Sequence, residues 1–279
     1  MYNVFKSGLL MIVMFALFLF FGYLLGGPDG ATIFFFIALA INFVSYFFAH
    51  KIVIAMYRAV PADPQRYRRL YEILDDLSSR AELPQTPALY IVPMAAPNAF
   101  ATGRSPRTAI VAVTEGLLAR MNEQEIAAVI AHELGHIKHW DMLVQTIVAA
   151  MAGAIMWLAD IAKWGAIFGG RDDDEGGNFI WMLFVSIVAP LAALLVQLAI
   201  SRSREYMADD FSAKLMGSGI PLANALIRLH TDARMMPAEV TPATAHMFIT
   251  PAGIGRGILT LFSTHPSLED RLENLKKFA

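Results

Sequence analysis

The run Ala131-His132-Glu133-Leu134-Gly135-His136 sets two imidazoles and one carboxylate at a spacing that a helix turns into a cluster. Four residues of α-helix advance about 400°, so His132 and His136 stand about 40° apart, one turn above the other, and both can grip a single metal ion. Glu133 lies beside them, off the ligand direction, within reach of a metal-bound water as general base. The chemistry such a trio performs is hydrolysis at zinc. Asn122 and Glu125 supply an N-cap and capping box, and Ile126, Ala127, Val129, Ile130, Leu134 and Ile137 continue an apolar helical side on which Gly135 is the one internal breaker.

A hydrolytic zinc takes three protein ligands and keeps a fourth position for water. The chain contains no cysteine, which agrees with a reducing compartment and restricts the third ligand to His, Asp or Glu. His139 stands about 10 Å from His132 along the helix axis, too far to share a metal with it, and reads as a packing or supporting residue. Position 142 is Met142, so the longer metzincin pattern is excluded. Glu205, in Ser203-Arg204-Glu205-Tyr206-Met207-Ala208-Asp209, is the better candidate, with Asp209 one turn on as a carboxylate to accept the free N–H of a ligating histidine. The residues alone leave two readings open: ligand and supporting carboxylate, or a solvated acidic face paired to Arg202 or Arg204.

These groups need a frame, and composition says which kind. With 279 residues, 56% of them hydrophobic and 16% charged, and a mean hydropathy of +0.50, the chain is too apolar for an ordinary soluble domain. Four candidate membrane spans emerge, at about 7–25 (charge-free from Leu9 to Leu25), 31–49, 142–167 and 179–200, each near the roughly 20 residues a bilayer requires. Pro28-Asp29-Gly30 reads as the turn of the first hairpin. The first span reads as an anchor, being longer than a leader's apolar core and followed at once by a second. The third carries Asp160 and Lys163 near its far end, where charges can snorkel or line a cavity. Lys6, Lys51, Arg58, Arg66, Arg68, Arg69, Arg202 and Arg204 flank the spans on one side, which by the positive-inside rule puts both termini and the H-E-x-x-H segment in the cytoplasm. A net charge of −2 says nothing about nucleic acid.

The expected fold is a mostly α integral membrane protein: hairpins over 1–50 and 142–200, and a cytoplasmic α+β catalytic domain in two parts, 51–141 and 201–279. In the first part, Arg66 to Ala81 reads as helix and Ala88 to Pro93 as strand. Asn98 to Thr102 and Thr108 to Val113 read as a hairpin around Gly103, and Thr114 as the cap of a short helix. In the second, the fourth span runs on into Ser201–Met216 and stops at Gly217-Ser218-Gly219. Residues Met235 to Gly257 read as a long irregular loop, either covering a groove or merely connecting. Ser267 caps a final charged helix.

His132–His136, Ser203–Asp209, Asn98-Ala99-Phe100 and Ser263-Thr264-His265-Pro266 together resemble the HtpX-type membrane zinc metalloproteases, relatives of the CAAX prenyl endopeptidases. The likeness covers nearly the whole chain, two-plus-two span arrangement included. It implies a zincin-type (gluzincin-like) domain with a small sheet, one Zn²⁺ per chain, and Glu205 as third ligand. It implies an edge strand at Asn98, Ala99 and Phe100 that pairs with extended substrate, where the residues alone allow a turn after Pro97. His265 becomes an oxyanion-stabilising residue near the zinc, otherwise a loop histidine ahead of a helix. Arg271 has three candidate partners: His265, Asp270 and Glu205. The implied activity is an endopeptidase that cuts damaged or misfolded membrane proteins at the cytoplasmic face of a bacterial inner membrane. Polypeptide substrates, the bilayer and other membrane proteases would be its partners, with no nucleic acid. Two alternatives stand beside it. An intramembrane site-2-type protease would draw its Asp ligand from an Asp-Gly pair, of which Asp29-Gly30 is the only one, but it precedes the histidines. An inactive metal-binding scaffold would be expected to lack a base or a ligand.

Overall fold

The computed structural model describes residues 2–168, 202–235 and 266–279. The first element, α1 (Tyr2–Met56), is two helices joined by a sharp break at Gly26 and Gly27. Gly27 has φ +59, a left-handed conformation that only glycine takes at low cost. The hairpin therefore turns at the glycine pair. Pro28, expected in the turn, instead opens the second helix, where its missing N–H and fixed φ cost nothing. Two segments, Asn3–Leu24 and Gly26–Met56, are long and apolar enough to cross a membrane. They carry exposed Phe5, Ile12, Phe20, Leu24, Ile33, Phe36 and Phe43, a pattern that water would penalise and lipid accepts. The second helix continues seven residues beyond the expected Ala49 boundary, to Met56.

Four short strands follow: β1 (Val60–Pro61), β2 (Ala88–Val92), β3 (Ala99–Thr102) and β4 (Ile110–Thr114). Their order is β1-β2-β4-β3, with β2 parallel to β4 and the outer pairings antiparallel. β3 and β4 form the expected hairpin around Gly103, in the register Ala99 to Val113 and Phe100 to Ala112. Both faces of the sheet are covered, which is why the strands read as unbroken apolar runs. Leu89, Ile91, Ala99, Ala101, Val111 and Val113 face the helical core. Val92, Phe100 and Ala112 face Val53 and Tyr57 of the membrane hairpin and Ala149. The sheet is thus the partition between catalytic core and membrane hairpin.

On the core side lie α2 (Arg68–Arg80), α3 (Glu115–Arg120, capped by Thr114) and α4 (Glu123–Lys138). α5 (Asp141–Phe168) packs against α1. Among the described residues the remaining helices are α6 (Arg202–Met216), α7 (Ile220–Met235) and α8 (Leu268–Leu275). Every residue of α4 from Glu125 to Ile137 is buried, so this helix has no solvent side at all. Leu134 is fully buried in its centre; truncation to Ala is worth about 2–5 kcal/mol. The expected fourth span, 179–200, lies outside the described residues, as do His265 and the segment after Met235. Neither β1 nor α7 figured in the sequence reading.

Candidate metal centre

α4 begins with a complete capping box: Asn122 Oδ1 accepts the Glu125 amide at 2.9 Å, and Glu125 Oε2 accepts the Asn122 amide at 3.0 Å. Arg228 of α7 donates to the other Glu125 oxygen at 2.9 Å and fixes α4 from its far side. Two turns later, His132 and His136 are buried, and their Nε2 atoms stand 3.2 Å apart. Glu205, in the first turn of α6, brings Oε1 to 3.6 Å from His136 Nε2 and Oε2 to 3.9 Å from His132 Nε2. The ligand atoms of the three residues all lie within 4.8 Å of one another.

α6 comes close enough for this because residue 135 is glycine: a Cβ there would meet Ala208 Cα and the Phe211 ring at 3.2 Å. Ser212 adds a hydrogen bond to the Ala128 carbonyl at 2.7 Å. Donor atoms around a tetrahedral ion with bonds of about 2.0–2.1 Å sit about 3.3 Å apart. The separations of 3.2, 3.6 and 3.9 Å run from that spacing to somewhat above it, and a set of two nitrogens and one oxygen suits a divalent borderline metal.

The other imidazole nitrogens each lie close to a carboxylate. His132 Nδ1 lies 3.0 Å from Asp209 Oδ1, and His136 Nδ1 lies 3.2 Å from Asp141 Oδ2. Each carboxylate turns Nε2 toward the common centre. The sequence named Asp209 as a candidate here but not Asp141. Trp140, at φ +63, breaks the chain between α4 and α5 and leaves Asp141 beside His136, a geometry no helical periodicity announces. Arg271 of α8 forks onto Asp209, Nε to Oδ2 at 2.9 Å and Nη2 to Oδ1 at 2.6 Å, and passes 3.8 Å from Glu205. Among the described residues its closest partner is Asp209, which was not among the expected three, while Glu205, which was, lies at ion-pair distance. His139 caps α4 and sets its ring edge-on to Phe211, a packing role.

Burial dominates the electrostatics. It raises the Glu133 carboxyl to about 7, helped by Glu205 and opposed by His136, the Ala101 backbone and Arg271. It lowers the His132 pKa, a pull that the Asp209 hydrogen bond only partly offsets. His136 suffers the same desolvation, but Asp141, Glu205 and Glu133 overcome it and lift the group to about 9. Desolvation likewise opposes the charge on Asp209, yet Arg271 and His132 hold its carboxyl below the usual range. A carboxyl poised near neutrality beside two convergent imidazoles has the proton affinity that a general base needs.

Asn98 precedes β3, buried, its amide donating to Thr114 Oγ1 at 2.8 Å. Ala99 and Phe100 lie on β3, the edge strand beyond β4, and the next residue, Ala101, hydrogen-bonds Glu133 through its backbone. The edge therefore runs directly past the metal centre.

A sequence profile of peptidase family M48 matches residues 64–279. The chain belongs to peptidase family M48. This M48 chain is 50% identical over 276 residues to a protein named protease HtpX homolog in Desulfatibacillum aliphaticivorans, covering 98% of the one and 89% of the other. It is 48% identical to the protein of the same name in Thermococcus kodakarensis, over 98% of this chain and 95% of that one. The crystal structure of S. mikatae Ste24p shares its fold, with a TM-score of 0.50 at 19% identity, covering 98% of this chain and 65% of that chain. The M48 chain is a membrane-bound metalloprotease. The family match favours the M48 reading over the site-2-type alternative, and among the described residues the carboxylate beside the two histidines is Glu205.

Proposed function

We propose that this M48 peptidase is a zinc endopeptidase in which His132 and His136, through Nε2, and Glu205, through its carboxylate, hold one Zn²⁺. The observation that carries the reading is the convergence of these three buried side chains beside a carboxyl raised to about 7. Zinc in such a site supplies Lewis acidity toward a peptide carbonyl and makes water a nucleophile near neutral pH. Glu133 takes the proton from the attacking water and returns it to the departing amine, a task suited to a group that titrates near neutrality. The Ala101 backbone orients the Glu133 carboxylate. Asp209 and Asp141 keep the two imidazoles in the tautomer that offers Nε2. The β3 edge at Asn98, Ala99 and Phe100 adds an extended polypeptide as a further strand, which leads its backbone past Glu133. His265 serves as the oxyanion donor.

The flanking basic residues support a cytoplasmic active site and cytoplasmic termini. Because similar relatives occur in Thermococcus as well as Desulfatibacillum, the proposed location widens from a bacterial inner membrane to the cytoplasmic membrane of a prokaryote. A site built against membrane helices favours membrane proteins, including damaged or misfolded ones, as substrates.

The test is cleavage of an unfolded protein by the detergent-solubilised chain, wild type against Glu133→Gln, with chelation and readdition of Zn²⁺. Glu133→Gln is expected to retain metal and lose about 10²–10⁴-fold in turnover. Undiminished cleavage by that variant would sink the assignment.

A further inference from the structure

Asn3 lies in the first turn of the membrane hairpin, far in sequence from any active-site residue, and is only 9% exposed. Its Nδ2 donates to Asp141 Oδ1 at 2.8 Å and to the His139 carbonyl at 2.8 Å. Its Oδ1 accepts from Arg204 Nη1 at 3.3 Å. Arg204 Nε lies 3.5 Å from the same Asp141 oxygen that Asn3 binds, and Asp141 uses its other oxygen on His136. One amide thus joins the first turns of α1, α5 and α6, with both donor hydrogens and its acceptor engaged. Only a side chain with donor and acceptor ends fits between a carboxylate and a guanidinium. An apolar residue would strip Asp141 Oδ1 and the His139 carbonyl of their donor inside a buried cluster.

A polar residue between membrane helices often serves as packing glue alone. Two features separate Asn3 from that role: its network ends on His136, and it binds both sides of the break at Trp140, the His139 carbonyl and the Asp141 carboxylate. We infer that Asn3 is a positioning residue of the metal centre, holding Asp141 in place to orient His136. The first membrane segment thereby takes part in metal binding. This rests on His136 being a metal ligand, and the experiment separates the two claims.

Full-length protein in detergent, loaded with Zn²⁺, is mixed with excess chelator and metal loss is timed for wild type, Asn3→Leu, Asp141→Asn and the double variant. Co²⁺-substituted samples report the ligand field by visible absorption, and Ser7→Ala, whose hydroxyl bonds the Asn3 carbonyl at 2.9 Å, controls for loosening of the same helical turn. Asn3→Leu is expected to release metal about tenfold faster and to shift the Co²⁺ bands, with Ser7→Ala unchanged. In the Asp141→Asn background, loss of Asn3 adds nothing, because the effect travels through Asp141. Release at the wild-type rate, or rates that multiply in the double variant, would overturn the role of Asn3. Asn3→Ser, too short to reach Asp141, carries the same expectation if Asn3→Leu fails to fold. If His136→Ala retains metal like wild type, the ligand assignment itself fails, whatever Asn3 does.

Discussion

Two carboxylates stand behind two imidazoles of one motif, and they are supported by residues from opposite ends of the chain. Asp209, fully buried, belongs to the same helix as Glu205 and is clamped by the fork of Arg271 from the C-terminal helix. Asp141, also buried, is the first residue of α5 and is held by Asn3, with Arg204 at a looser 3.5 Å. The imidazoles respond in opposite directions, His132 lowered and His136 raised to about 9. Helical spacing makes the histidines converge, while their proton affinity is written by partners elsewhere in the chain. A guanidinium shared with Asp209 dilutes the anion His132 sees; Asp141 presents more of its charge to His136.

The comparison can be broken hardest on the Asp209 side. Arg271→Leu leaves a buried carboxylate uncompensated, and a loss of about 3–5 kcal/mol of stability is expected in denaturant unfolding, with activity lost alongside. Next come the carboxylates themselves. Asp141→Asn and Asp209→Asn should each weaken metal affinity by about 10–100-fold in competition with a chelator of known strength. Only Asp141→Asn should also bring the His136 titration in metal-free protein down toward the ordinary imidazole range, as read by NMR.

A pH series sharpens the contrast further. With a folded-state pKa raised to about 9 against about 6.5 for a free imidazole, protonated His136 stabilises the metal-free fold fully below about 6.5, and that contribution fades as pH climbs through 9. Metal binding must displace this proton, so affinity should rise up to about tenfold per pH unit between 7 and 9 and flatten above. In Asp141→Asn the rise should end at lower pH. The smallest effect belongs to the start of the helix that carries both histidines: Asn122→Ala should cost about 1 kcal/mol in thermal unfolding and leave KM unchanged.

What was readable beforehand divides along the range of the interactions. The capping box at Asn122, the cap at Ser267 and the H-E-x-x-H spacing are local, and the structure reproduces each. The β3–β4 hairpin was legible because Gly103 lies between two apolar runs. The hairpin turn of α1 was misplaced by two to three residues because proline signals a turn and a helix start equally well; the backbone angles of Gly27 decide between them. The sheet order, Asp141 behind His136, Arg271 on Asp209 and Asn3 on Asp141 involve residues set beside each other only by the fold, and composition gives no hint of them. Glu205 was legible as a candidate, but its distance to the histidines follows from how α6 packs on α4.

That packing turns Gly135 into a gauge for ionic size. The helix carrying Glu205 rests on bare backbone at this position, and a methyl group would press it outward by a few tenths of an ångström. The same few tenths separate the bonds that zinc prefers from those of larger divalent ions. Gly135→Ala should therefore shift the protein's preference among cations away from the smaller ones, making a residue that touches no ion the calibrating element of the site.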